Sequence, residues 1–179
     1  MNWFCEPQHW KEDGNILTVT TAPKTDFWRK THSGYITDNG HFYYQQITGD
    51  FTAEVKFSGD YNALYDQAGL MVRIDAENWI KCGIEFLDGA QVVSAVVTRD
   101  FSDWSVITLP QTPLALWLRL KRTGDTVEIY YSLDGAQYAM YRQAYLPPVE
   151  LVSIGMMCCS PTGAGCTAVF EGYTIEQGI

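Results

Sequence analysis

Asp88-Gly89 stands between two runs, Trp79 to Leu87 and Ala90 to Thr98, in which apolar and polar residues alternate. An Asp-Gly pair supplies the positive φ angles of a two-residue hairpin turn, so the runs must pair antiparallel, with directly opposite residues on one face. Pairing Leu87 with Ala90 sets Ile84 opposite Val93, Cys82 opposite Ala95 and Ile80 opposite Val97, an unbroken apolar face. The other face carries Glu85 against Val92, Gly83 against Ser94, Lys81 against Val96 and Trp79 against Thr98. The same period of two recurs in Phe51 to Phe57, Gly69 to Ile74, Leu114 to Arg122, Thr126 to Ser132 and Val152 to Cys158. No segment reads as a helix of ordinary length, and no repeat, low-complexity tract or linker intervenes. The expected architecture is all-β, an antiparallel sandwich.

The 179 residues suit a single domain, 1–179. Hydrophobic residues make up 46% and charged residues 18%, too apolar a balance for a disordered chain. Twelve Lys and Arg against 21 Asp and Glu give a formal charge of −9, which argues against nucleic acid and anionic membrane surfaces as partners. The N-terminal residues have neither the basic nor the apolar segment of an export signal, so a cytoplasmic location is expected. Five cysteines, an odd number without a Cys-x-x-Cys or Cys/His cluster, fit reduced structural thiols and no metal site. Cys158 should fall on one face with Ile154 and Met156, and Cys159 on the other, which precludes a bond between the two.

Two further turns extend the register. Gly124-Asp125 pairs Leu120 with Ile129 and Leu118 with Tyr131 inside, leaving Lys121 against Glu128, Arg119 against Tyr130 and Trp117 against Ser132 on what reads as a solvated outer face. Asp134-Gly135 suggests a hairpin with Tyr131 opposite Tyr138 and Ile129 opposite Met140. The run from Gly69 to Ile74 admits two near registers, with Arg73 opposite either Lys81 or Trp79. Like charges directly opposed are destabilising, which favours Arg73 beside Trp79, Met71 beside Lys81 and Gln67 beside Glu85.

The polar face of Trp79 to Leu87 carries side chains suited to binding chemistry. Lys81 and Glu85 stand about 13 Å apart along a strand, with Gly83 as a low floor between them and Trp79 as a wall. The spacing alone also fits an ordinary solvated sheet face. Asp26-Phe27-Trp28, Trp79 and Ser102-Asp103-Trp104-Ser105 join large aromatics to polar groups, the mixture that stacks on and hydrogen-bonds a sugar. Lys81, Glu85, Gln67 and Trp79 should therefore project into one groove, and Ile80, Cys82, Ile84 and Phe86 into the core. No Gly-x-Ser-x-Gly, P-loop, His-Glu-x-x-His or dinucleotide fingerprint occurs, and no cofactor is expected.

The ordered string Thr25-Asp26-Phe27-Trp28, Gly49-Asp50-Phe51, Tyr65-Asp66-Gln67-Ala68-Gly69-Leu70, Trp79 to Glu85, Ser102-Asp103-Trp104-Ser105, Tyr131 to Gly135 and Ser160-Pro161 resembles the uncharacterised family that includes the fungal regulation-of-enolase protein. The resemblance runs from about Trp3 to Tyr173 and implies a concanavalin-A-like jelly-roll sandwich of two antiparallel sheets. Members of that wider fold often bind or cleave carbohydrate on the concave sheet. The chain lacks the Glu-x-Asp-x-x-Glu strand of laminarinase-like glucanases, so neither that mechanism nor a legume-lectin calcium site is implied. The motifs carry over as candidate ligand contacts: Asp26, Trp28, Tyr65, Asp66, Gln67, Trp79, Lys81, Glu85, Asp103 and Trp104, with His41 and Arg142 beside them.

Three functions follow as expectations. The first is recognition of a small, acidic or phosphorylated sugar, with Lys81, Arg73 and Arg142 as anion partners. The second is a glycoside-acting enzyme using Asp66, Glu85 or Asp103. The third is regulatory binding to a metabolic enzyme.

Overall fold

A computed structural model of the chain describes residues 1–178, which contain β-strands and no helix. In chain order the strands are β1 (Asn2–Phe4), β2 (His9–Asp13), β3 (Ile16–Thr20), β4 (Phe27–Arg29) and β5 (Ile36–Asp38). Next come β6 (His41–Thr48), β7 (Phe51–Gly59), β8 (Gln67–Arg73), β9 (Asn78–Leu87), β10 (Ala90–Arg99) and β11 (Phe101–Thr108). The last five are β12 (Leu116–Thr123), β13 (Thr126–Ser132), β14 (Ala139–Tyr145), β15 (Leu151–Cys159) and β16 (Thr167–Gln177).

Two seven-stranded antiparallel sheets form a sandwich, ordered β1-β6-β15-β8-β9-β10-β11 and β14-β13-β12-β7-β16-β3-β2, with β4-β5 as a separate hairpin. Alternation supplies the core between the sheets. Leu70, Val72, Ile80, Cys82, Ile84, Val93, Ala95 and Ile154 of the first sheet meet Val55, Phe57, Leu118, Leu120, Ile129 and Phe170 of the second. The registers deduced around Asp88-Gly89 and Gly124-Asp125 are those observed, as is the choice of Arg73 beside Trp79 and Gln67 beside Glu85. Cys158 lies in this core with Ile154 and Met156, Cys159 lies on the opposite face, and all five thiols are free.

The first sheet departs from the one-sided pattern that antiparallel sheets commonly show. All seven residues of β8 are buried, because a second apolar cluster covers the outer face: Phe27, Phe42, Met71, Trp79, Val96, Met157 and Cys159. The cover is the β4-β5 hairpin, pinned down by charge. Lys81 Nζ donates to Asp26 Oδ1 at 3.0 Å, Arg73 grips both oxygens of Asp38 at 2.7 and 2.8 Å, and Arg29 reaches Asp100 at 3.0 Å. His41 ties the flanking segments. Its Nε2 accepts the Ala22 amide at 2.9 Å, so the proton sits on Nδ1, 2.6 Å from the Cys5 carbonyl. Burial lowers the pKa of this imidazole, against the opposing pull of that carbonyl.

The Asp134-Gly135 hairpin differs from expectation. Tyr131 faces Ala139 and Ile129 faces Arg142, with a register shift between Ile129 and Tyr130. The turn is longer than two residues because its side chains organise it. Ser132 Oγ accepts the Asp134 and Gly135 amides, and Asp134 Oδ1 accepts those of Ala136 and Gln137. The Gln137 and Ala136 amides hold the Asp134 carboxyl down at about 2.

Gly69 and Gly83 are directly opposed where β8 and β9 approach. A Cβ on Gly69 would lie 1.9 Å from the Cys82 carbonyl oxygen, a backbone atom that cannot rotate away. Gly69→Ala should therefore destabilise by about 2 kcal/mol or more, as overpacking does. At Gly49, with φ +71° and open space around the Cβ, alanine should cost only about 1 kcal/mol, from the left-handed backbone. Urea midpoints at constant m-value measure both, and equal losses would contradict the close approach.

Candidate functional site

Away from the hairpin, toward β11, the outer face of the first sheet turns polar. Parity puts Gln67, Gly69, Lys81, Gly83, Glu85, Ser94 and Trp104 on this one face. Trp104 is 38% exposed while Glu85 beneath it is 7% exposed. The indole Nε1 donates to Glu85 Oε2 at 2.8 Å and to Ser94 Oγ at 3.2 Å, and the Ser94 hydroxyl donates to the same Oε2 at 2.8 Å. Tyr65 stands nearly perpendicular to Trp104, ring centroids 6.3 Å apart.

Tyr65 is held with φ +69°, a left-handed conformation unfavourable for an aromatic residue. The following residue explains how it is kept. Asp66 is fully buried, accepts the Asn62 and Ala63 amides at 2.9 Å each, and takes the Ser160 hydroxyl at 2.6 Å. Asp66 thus shapes the loop that presents Tyr65.

Between Glu85 and Lys81 lies a cavity of about 10 Å³ bounded by Gln67, Lys81, Gly83, Glu85, Ser94 and Met157. That is about the space of one water molecule or one hydroxyl group. Gly83 is its floor, as the sequence suggested, but the expected open cup is nearly filled. Lys81 lies only 4% exposed against Asp26, and Gln67 Nε2 donates to the Tyr65 carbonyl at 3.0 Å and weakly to Asp26 at 3.5 Å. Burial opposes the Lys81 ammonium, yet Asp26, with Cys159 and Glu85, outweighs it and raises its pKa. Burial also raises the Glu85 pKa, and Lys81, Ser94 and Trp104 offset that only in part.

The structure thus brings Asp26, Tyr65, Gln67, Lys81, Glu85 and Trp104 together. It places the other candidates elsewhere. Trp79 is 1% exposed, packed edge-on against Phe27 with its N–H on the Ala76 carbonyl, so it is core and not a wall. His41 and Asp66 are buried in the structural bonds above. Trp28 belongs to the hairpin, donating to the Thr31 carbonyl at 3.0 Å. Asp103, opposite Val97, lies on the other face of edge strand β11, where it is exposed and pairs with Arg142 of β14 at 3.3 Å, bridging the side of the sandwich. Ser94 and Met157 were not among the candidates; the Asp-Gly register already put Ser94 opposite Gly83. Among the described residues no group of three His, Cys, Asp or Glu side chains is placed to hold a metal ion.

The raised pKa of Glu85 makes stability depend on pH. Below the ordinary glutamate value of 4.5, the carboxyl is neutral folded and unfolded, and its contribution is fully present. As pH rises through the elevated folded pKa, a charge must be carried in a buried site and that contribution is lost. Glu85→Gln keeps an acceptor for Trp104 and Ser94, so its stability relative to the parent should rise from acid to neutral pH and then level off. Urea titrations across this range check it, and a pH-independent difference would contradict the burial of the carboxyl.

The chain is 36% identical over 177 residues to Regulation of enolase protein 1 of Saccharomyces cerevisiae, covering 99% of this chain and 89% of that one. A crystal structure of a functionally unknown protein from Saccharomyces cerevisiae superposes with a TM-score of 0.95 at 35% identity, over 99% of this chain and 96% of that one. The carbohydrate binding module CBM66 from Bacillus subtilis superposes with a TM-score of 0.61 at 15% identity, over 98% and 95% of the two chains. The GH43 BlXynB protein from Bacillus licheniformis does so at 0.73 and 15%, over 97% of this chain but 36% of its own. These last two likenesses show the fold alone. Residues 3–178 match the family described as Protein of unknown function (DUF1349), and the chain belongs to that family.

Proposed function

We propose that the protein is a non-catalytic saccharide-recognition domain that binds a neutral sugar at Trp104 and Glu85. One observation carries this reading: an exposed indole locked by its own N–H onto a buried carboxylate, beside a hole of hydroxyl size. A sugar ring stacked on Trp104 would place one hydroxyl toward Glu85, Ser94 and Lys81, which supply acceptor and donors at its mouth. The carbohydrate-binding module among the structural neighbours supports the class of ligand.

The expected preference for an acidic or phosphorylated sugar loses its basis, because each cation meant for it is already paired. Lys81 is on Asp26, Arg73 on Asp38 and Arg142 on Asp103. Catalysis is disfavoured on similar grounds. Glycoside cleavage asks for two carboxylates flanking the bond with room between them, and here Asp26 is occupied by Lys81 and the Phe27 amide, Asp66 is sealed, and Asp103 faces away from Glu85.

A thermal-shift and calorimetric screen of neutral saccharides, uronates and sugar phosphates tests the reading. Trp104→Ala should weaken a neutral saccharide about tenfold or more, the size of one lost aromatic contact, while sugar phosphates bind no tighter than their neutral parents. Binding of no saccharide, or a strong phosphate preference lost in Lys81→Met, would overturn it. The name of the yeast relative, Regulation of enolase protein 1, favours a second reading, a regulatory contact with enolase. Calorimetry against purified enolase separates the two.

A further inference from the structure

The outer face of the second sheet holds an open groove of about 310 Å³, far larger than the cavity beside Glu85 and at the lower end of ligand-site volumes. Its floor is β7, where Glu54 and Lys56 point outward. One wall is aromatic: Trp117, opposite Lys56 on β12, and Tyr138 from the loop before β14. The other wall is β16, which carries Glu171 opposite Lys56 and Thr174 opposite Glu54.

The groove owes its depth to an interruption of the ladder. Between Glu171 and Thr174 the register with β7 shifts, and Gly172 there has φ +63° and donates its amide to the Asn15 carbonyl at 2.9 Å. Such a bulge bends its strand out of the sheet surface and leaves a notch beside it. Across the notch, Gly135 allows the turn after β13 to press on Trp117, since a Cβ there would lie 2.8 Å from the indole nitrogen.

The lining is cross-linked and charge-balanced. Arg119 donates to Glu54 Oε1 at 2.6 Å, and the Tyr138 hydroxyl donates to Oε2 of the same carboxylate at 3.3 Å. Lys56 pairs with Glu171 at 3.0 Å and stands 5.6 Å from the centre of the Trp117 ring. Neither sign of charge is left over to select an ion, and the polar rim does not suit a purely apolar ligand. A saccharide ring has one apolar face of C–H groups and a rim of hydroxyls, which matches an aromatic wall facing Glu54, Glu171 and Thr174.

We propose that this groove is a second ligand site, on the opposite face of the sandwich from Trp104, for a neutral saccharide of one or two rings. The inference rests on the groove's own lining and stands whether or not Trp104 binds. Titration of the full ¹⁵N-labelled chain with cellobiose and xylobiose, with glucose 6-phosphate as the charged control, tests it. A neutral disaccharide should shift the Trp117 indole signal and the Thr174 and Lys56 amides saturably. Trp117→Ala should weaken that response about tenfold, the phosphate should bind no tighter, and Glu171→Gln serves as the variant should Trp117→Ala fail to fold. Saturable shifts at Trp117 without any at Trp104 support the groove and overturn the reading of the Glu85 site. Shifts confined to Trp104 and Tyr65 overturn the groove alone, and a response at neither face overturns both.

Discussion

The Lys81–Asp26 ion pair lies at the point where the two halves of the first sheet's outer face meet. On one side is the apolar cluster under the hairpin, and on the other the polar patch around Glu85. Asp26 also accepts the Phe27 amide, so a single carboxylate fixes the start of β4 and neutralises a lysine 4% exposed. Buried pairs of this kind contribute little beyond what well-packed apolar residues would, but loss of one partner strands the other and costs about 3–5 kcal/mol. The pair is better understood as a locating device. It decides where the cover ends and therefore which part of the sheet remains open to solvent.

That division was only partly legible in the sequence. The Asp88-Gly89 turn fixed the faces of β9 and β10, and the repulsion between like charges was enough to place Arg73 and so to bring Gln67 to Glu85. Period-two alternation tells which residues share a face, but not what lies against that face. Trp79 and Lys81 therefore looked like the wall and rim of a cup, although segments before residue 42 lie over both. His41 and Asp66 were hidden for the same reason, since their partners are backbone amides and carbonyls that carry no residue signature and, for Asp66, a serine hydroxyl 94 residues away. Asp134-Gly135 misled because Ser132 and Asp134 build a wider turn from their own side chains.

The groove on the second sheet escaped the sequence altogether. Lys121 against Glu128 and Arg119 against Tyr130 are the marks of a plain solvated face, and they are present as expected. What makes the face more than plain is a one-strand irregularity at Gly172, whose effect depends on β7 and β12 lying beside it. Two opposed outer faces, one largely covered and one notched, give this sandwich two chemically distinct surfaces on a shared core.

The strand order has a consequence for how the chain is made. In the first sheet β15 sits between β6 and β8, and in the second β16 sits between β7 and β3. The neighbours so joined are synthesised well before, with Arg73 of β8 pairing Ser153 and Leu17 of β3 pairing Phe170, and none has another strand to fill that edge. During synthesis β3, β6, β7 and β8 therefore keep open hydrogen-bonding edges until β15 and β16 emerge, a state prone to wrong pairing. Closure of both sheets thus waits on β15 and β16, and a chain cut before Leu151 would leave β3, β6, β7 and β8 each with an unpaired edge.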